Sequence, residues 1–133
     1  MSAQTFHPKE RLKSRKLINS LFKEGASFSI FPIRCIYLPI TPLDEEAPSD
    51  YLVQFTSSVP KRAFPKAVDR NRIRRQIKET YRLQKQDFYE QLEGTKTPFA
   101  LMFIYVAKEP LSYQKIEKAT QKILRKLVGR LQE

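Results

Sequence analysis

The nine residues FALMFIYVA, from Phe99 to Ala107, carry no charge and are bounded by Pro98 and Pro110. A run that short, with no polar position at either period, suits a strand covered on both faces better than an amphipathic element. Whatever else the chain does, it must place packed layers against this strand.

The flanking pattern supplies them. Ser14 can cap a short helix whose apolar residues Leu17, Ile18, Leu21 and Phe22 recur at helical spacing, with Gly25 as its stop. From Phe28 to Ile40 the residues turn strand-like, and Pro32 and Pro39 restrict where ladder hydrogen bonds can form. Ile33, Cys35 and Tyr37 point one way there, with Arg34, Ile36 and Leu38 on the other side. Residues 41–50, TPLDEEAPSD, read as an exposed connection. Tyr51 to Val59 reads as the next strand, Tyr51, Val53 and Phe55 alternating with Gln54 and Thr56. A helix follows from about Lys66 to about Gln86, with a further turn over residues 87–94 stopped by Gly94. Ser112 can cap a last helix with the stripe Ile116, Ala119, Ile123, Leu127 and Leu131. The order α-β-β-β-α-β-α predicts an α+β fold, with a small mixed sheet and one β-α-β crossover. At 133 residues the chain is one domain, 1–133, whose polar residues 1–13 are expected to be mobile.

The crossover helix is the chemically distinctive part. Residues 61–82, KRAFPKAVDRNRIRRQIKETYR, hold nine Lys or Arg against two acids, and so +7 of the formal +11. On a helix, Ile73, Ile77, Thr80 and Tyr81 fall on one stripe, and Asn71, Arg74, Arg75, Lys78 and Arg82 occupy the adjoining arc. Solvated helices usually interleave Glu with Lys and approach neutrality. This one does not. Its mutual repulsion is relieved by a polyanion, and Arg, which outnumbers Lys here, suits phosphates and base edges. Hydrophobic content of 41%, with nine Phe and six Tyr, makes the chain a folded basic domain and not a disordered tail. The first helix adds Lys13, Arg15, Lys16 and Lys23 as a second basic surface. RNA, DNA and an anionic membrane surface all remain candidate partners on charge alone.

The run AVDRNRIRR from Ala67 to Arg75, followed by KETYR from Lys78 to Arg82, resembles the signature of the bacterial ribonuclease P protein subunit. The order of flanking elements is similar too, over about residues 6–131. The resemblance implies a two-layer α/β sandwich with a left-handed crossover. It also implies that the RNA subunit, with bound Mg2+, hydrolyses precursor tRNA, while the protein binds that catalytic RNA and the single-stranded 5′ leader. Arg70, Asn71, Arg72, Arg74 and Arg75 match the RNA-contacting helix, and Lys61 and Arg62 match a basic pair ahead of it. Lys66, Lys78 and Arg82 complete that basic set. The family generally follows the pair with a small residue, where this chain has Phe64 and Pro65. Its leader cleft lies between the first helix and the sheet face, and Phe22 and Tyr37 match positions there, with Arg34, Lys13 and Arg15 as basic neighbours. Many members carry a further aromatic where this chain has Ile18. On periodicity alone, Phe22 is a core position.

Catalysis by the chain itself is not expected. His7 is the only histidine and Cys35 the only cysteine, so neither a His-based triad nor a zinc site can be assembled. Asp44, Glu45 and Glu46 read as solvation in a Pro-rich connection, and Gly25, Gly94 and Gly129 make no phosphate loop. Cys35 is expected to be a small buried hydrophobe, and a lone cysteine fits a reducing cytoplasm. No apolar run approaches the roughly 20 residues that span a bilayer, and MSAQTFHPKE has no apolar signal region. The expectation is a cytoplasmic, non-catalytic RNA-binding subunit of ribonuclease P with no bound cofactor and no protein partner implied. A general RNA chaperone or ribosome-associated protein is the alternative, and a protein-only nuclease the third class.

Overall fold

The computed structural model describes residues 11–40, 53–92 and 98–131. His7, Asp44, Glu45, Glu46, Tyr51 and Gly94 lie outside these residues. The elements are α1 (Arg15–Glu24), β1 (Ala26–Ile30), β2 (Ile33–Pro39), β3 (Val53–Ser58), α2 (Ala67–Gln91), β4 (Phe99–Tyr105) and α3 (Tyr113–Leu131). Their order is the predicted one.

β4 is central, as its uncharged run requires. The sheet runs β1-β2-β4-β3, with β4 antiparallel to β2 and parallel to β3. Cys35 and Phe103 face each other across β2 and β4, and Phe55 and Leu101 across β3 and β4. Alternate residues then serve opposite faces. Leu101, Phe103 and Tyr105, with Ile33, Cys35, Val53 and Phe55, form the larger core under α2 and α3. Ala100 and Met102, with Ile36 and Ile40, pack under Leu17 and Leu21 of α1. The alternation expected of residues 33–38 is thus realised.

Rings dock α2 on the larger face. Tyr81 stacks on Phe55 with centroids 3.9 Å apart, and Phe103 meets Phe55 edge-on at 5.0 Å. Farther along, Phe88 meets Phe99 edge-on at 6.3 Å. That contact corrects the expected interruption near Gln86: Phe88 and Leu92 prolong the buried stripe, and α2 runs unbroken for 25 residues. The buried hydroxyls of Thr80 and Thr120, 2.9 Å apart, join α2 to α3.

The caps behave as their residue types predict, with one difference. Leu17 N–H donates to Ser14 Oγ at 3.2 Å, and Lys115 N–H to Ser112 Oγ at 3.3 Å. Gly25 ends α1 in extended, not left-handed, conformation (φ −67°, ψ 144°). Its necessity is closeness: a Cβ there would lie 2.4 Å from the Leu21 carbonyl oxygen and 2.7 Å from Ile36 Cγ2.

The N-terminal segment departs from expectation where it is described. Leu12 is buried, its N–H donates to the Phe55 carbonyl at 2.9 Å, and Arg11 makes a parallel bridge to Phe55. Residues 11–13 are therefore laid along the β3 edge, because Leu12 has an apolar pocket to fill and β3 has unpaired backbone to offer.

Candidate nucleic-acid interface

α2 leaves the sheet edge with its buried stripe fixed by Ile73, Ile77 and Tyr81, so its other residues have set directions. Asn71, Arg74, Arg75 and Lys78 form one wall of a cleft of 430 Å³. Phe55, Thr56 and Ser57 of β3 form its floor, and Arg11, Leu12 and Lys13 its far wall. Five cations and an amide thus face one groove. No acidic side chain lines it.

The electrostatics follow from that crowding. Burial first, and then repulsion from Arg11, lower the pKa of Lys78 below the ordinary lysine value. A polyanion in the groove reverses the repulsion. Arg72, Arg74 and Arg75 are exposed and make no ion pair with a carboxylate among the described residues.

Other members of the expected set are placed differently. Arg70 Nη1 donates to the Phe64 and Pro65 carbonyls at 2.9 and 2.8 Å, so this guanidinium staples the loop to the helix start. Phe64 itself is buried, its ring 5.7 Å from that of Tyr105, which explains a large residue after the basic pair. Lys61, Arg62 and Lys66 stand exposed on this loop. Arg72 is one residue, or 100° of helix, past Asn71 and does not line the cleft. Arg82 is held by Glu79 through Nε and Nη2, at 3.1 and 2.5 Å. That contact lowers the Glu79 pKa and raises that of Arg82.

The expected leader residues divide. Phe22 is 58% exposed on α1, so the core reading from periodicity is corrected: Leu17 and Leu21 are the buried residues of that helix, with Ile18 packed half-buried beside them. Arg34 is exposed on the same sheet face as Ile36, donating to Ser27 Oγ at 3.4 Å. Tyr37 is a correction. Strand parity puts it on the opposite face, half-buried, against Phe28 and the Arg130 guanidinium. It is not a neighbour of Phe22. Lys13, grouped with the leader residues from sequence, lines the α2 cleft instead, while Arg15 stays exposed on the first turn of α1. Arg11, Thr56 and Ser57 were missed. Only the strand-like pairing of residues 11–12 brings them there.

The ribonuclease P family model matches residues 6–128. This chain belongs to the ribonuclease P protein family. Among curated relatives, the ribonuclease P protein component of Porphyromonas gingivalis is 33% identical over 123 residues, covering 90% of this chain and 84% of that one. The ribonuclease P protein component of Petrotoga mobilis is 30% identical, covering 96% and 98%. The fold is shared with the solved RNase P proteins of Staphylococcus aureus (TM-score 0.64, 19% identity, 89% and 94% covered) and Thermotoga maritima (TM-score 0.64, 19% identity, 87% and 96% covered). The run from Ala67 to Arg75 that resembled the ribonuclease P signature forms the start of α2 and one wall of the cleft. Among the described residues no helix is long and apolar enough to cross a membrane.

Proposed function

We propose that this chain is the RNA-binding protein subunit of ribonuclease P, assisting 5′ maturation of tRNA by a catalytic RNA. The observation that carries the reading is the groove in which Arg11, Lys13, Arg74, Arg75 and Lys78 face one another with Asn71 and no acid. Such a groove takes a phosphate backbone, and the family assigns that backbone to the catalytic RNA. Mg2+ belongs to the RNA in this reading, and the protein lowers the demand for it by screening phosphate repulsion. The leader of precursor tRNA is assigned to the sheet face beside α1, where exposed Phe22 offers a stacking surface and Arg34 and Arg15 offer charge.

Three measurements test it. Added to the cognate RNA subunit at low Mg2+, the protein restores 5′ processing, and no stimulation overturns the assignment. Precursors that carry a single-stranded leader bind more tightly than those without one, and equal affinities point to a general RNA chaperone instead. Arg74→Ala with Arg75→Ala keeps the melting temperature and weakens RNA binding. It also flattens the salt dependence by about 0.7 to 0.9 log unit for each phosphate that is no longer neutralised. An unchanged slope removes these residues from the interface.

A further inference from the structure

α3 carries six Lys or Arg and one acid, Glu117, in 19 residues. Apart from this helix and residues 61–82, the chain is almost neutral. The buried stripe of α3 explains its packing and leaves this charge without a purpose. Lys118, Lys122, Lys126 and Arg130 stand four residues apart, so they stack one above the next along a row about 18 Å long. Like charges at that spacing destabilise a helix, and no Glu interrupts the row. Lys118, Lys122 and Lys126 are exposed, and none of the four is ion-paired with a carboxylate among the described residues.

The row is also anchored. Lys126 Nζ lies 4.9 Å and the Arg130 guanidinium carbon 4.7 Å from the centre of the Phe28 ring, and Arg130 Nη1 donates to the Tyr37 hydroxyl at 3.5 Å. These contacts hold its end beside β1, whereas the α2 groove lies beside β3, the opposite edge of the sheet. None of the exposed large apolar side chains, Phe22, Phe31, Val68, Leu83 and Val106, belongs to α3. Unpaired bases are held by rings together with cations, but a duplex is held through its phosphates. A row of cations without rings suits the duplex.

We infer that the row from Lys118 to Arg130 is a second RNA surface, taking the phosphate backbone of a double-helical segment of the same large RNA that the α2 groove binds. This rests on the reading of the chain as an RNA-binding subunit. The protein then holds two segments of one folded RNA at opposite edges of its sheet.

The test uses Lys118→Gln with Lys122→Gln, both remote from the α2 groove, beside Arg74→Ala with Arg75→Ala. Against an RNA duplex of about 20 base pairs, the α3 variant loses ~10-fold affinity near 0.1 M salt, and its salt slope falls by about 1 to 2. Its affinity for a single strand of the same length changes less than about twofold, and its melting temperature holds or rises as repulsion is relieved. Unchanged duplex affinity and slope overturn the inference, as do equal losses on duplex and single strand. Against ribonuclease P RNA, combining the two variants multiplies their separate losses. A combined loss no larger than that of the α2 variant overturns the two-segment arrangement. Loss confined to mature tRNA, or to vesicles of anionic lipid, assigns the row to another partner and overturns it too. If the α3 variant behaves as wild type while the α2 variant fails, only this inference falls. The reverse result keeps the α3 row as an RNA surface, but it removes α2 from the interface and so overturns the two-segment arrangement.

Discussion

On one face of the sheet the rings of Phe55, Phe99, Phe103 and Tyr105 meet two long helices, while on the other Ala100, Met102 and Ile36 meet one helix of ten residues. The ring face has shape as well as area. A ring stacked at 3.9 Å and crossed edge-on at 5.0 Å tolerates little rotation of the helix that carries it. Since Asn71, Arg74 and Arg75 leave that helix at fixed angles from Ile73 and Ile77, packing on the inside aims the cations outside. The face without rings works by leaving space. α1 covers part of it, and Phe22 and Arg34 remain in solvent. One face is therefore built for position and the other for access.

That contrast can be broken by mutation. The largest effect is expected for Phe103→Ala, about 3 to 5 kcal/mol of stability by denaturant unfolding, because it removes the ring that braces both Phe55 and Tyr81. Met102→Ala, its neighbour on the other face, should cost less, at about 2 to 3 kcal/mol. Equal losses would erase the distinction between the faces. Gly25→Ala comes next, at roughly 1 to 3 kcal/mol, since the new methyl meets backbone and Ile36 with little room to yield. It should also displace α1 and reduce discrimination in favour of precursors with a leader.

Phe22→Ala sharpens the comparison from the other side. Stability should stay within about 0.5 kcal/mol, while affinity for leader-bearing precursor falls by roughly 1 to 3 kcal/mol and affinity for mature tRNA holds. A large drop in melting temperature would return Phe22 to the core. The smallest effect is electrostatic. Lys78 has a lowered folded pKa, so its charged form penalises the fold at neutral pH. The folded state gives up that proton before the unfolded state does, so stability rises as pH climbs from the lowered value towards the ordinary lysine range. Comparing wild type with Lys78→Gln by thermal melts across alkaline pH should show the gain in wild type alone.

Phe99 to Ala107 and the Ile73, Ile77, Tyr81 stripe were legible in the sequence because burial imposes period and composition on consecutive residues. So was the charged arc, since a helix converts spacing directly into direction. The division of its members was not. Arg70 turns back to the loop carbonyls and Arg82 is held by Glu79, both because the side chain's nearest acceptor is a matter of geometry and not of residue type. The α3 row stands in the sequence at regular spacing, but which edge of the sheet it borders depends on the packing of Arg130 against Phe28 and Tyr37.

The sequence alone determined which segments are helix and strand, which side of α2 is buried, and that its other side repels itself. Only the tertiary structure decided that Arg11 and Lys13 face Arg74 and Arg75 across the β3 edge, and that Tyr37 and Phe22 lie on opposite faces of the sheet. Local periodicity is set by neighbours along the chain. The meeting of residues 11–13 with residues 55–57 and 71–78 depends on one sheet edge and one buried leucine that bring distant segments together.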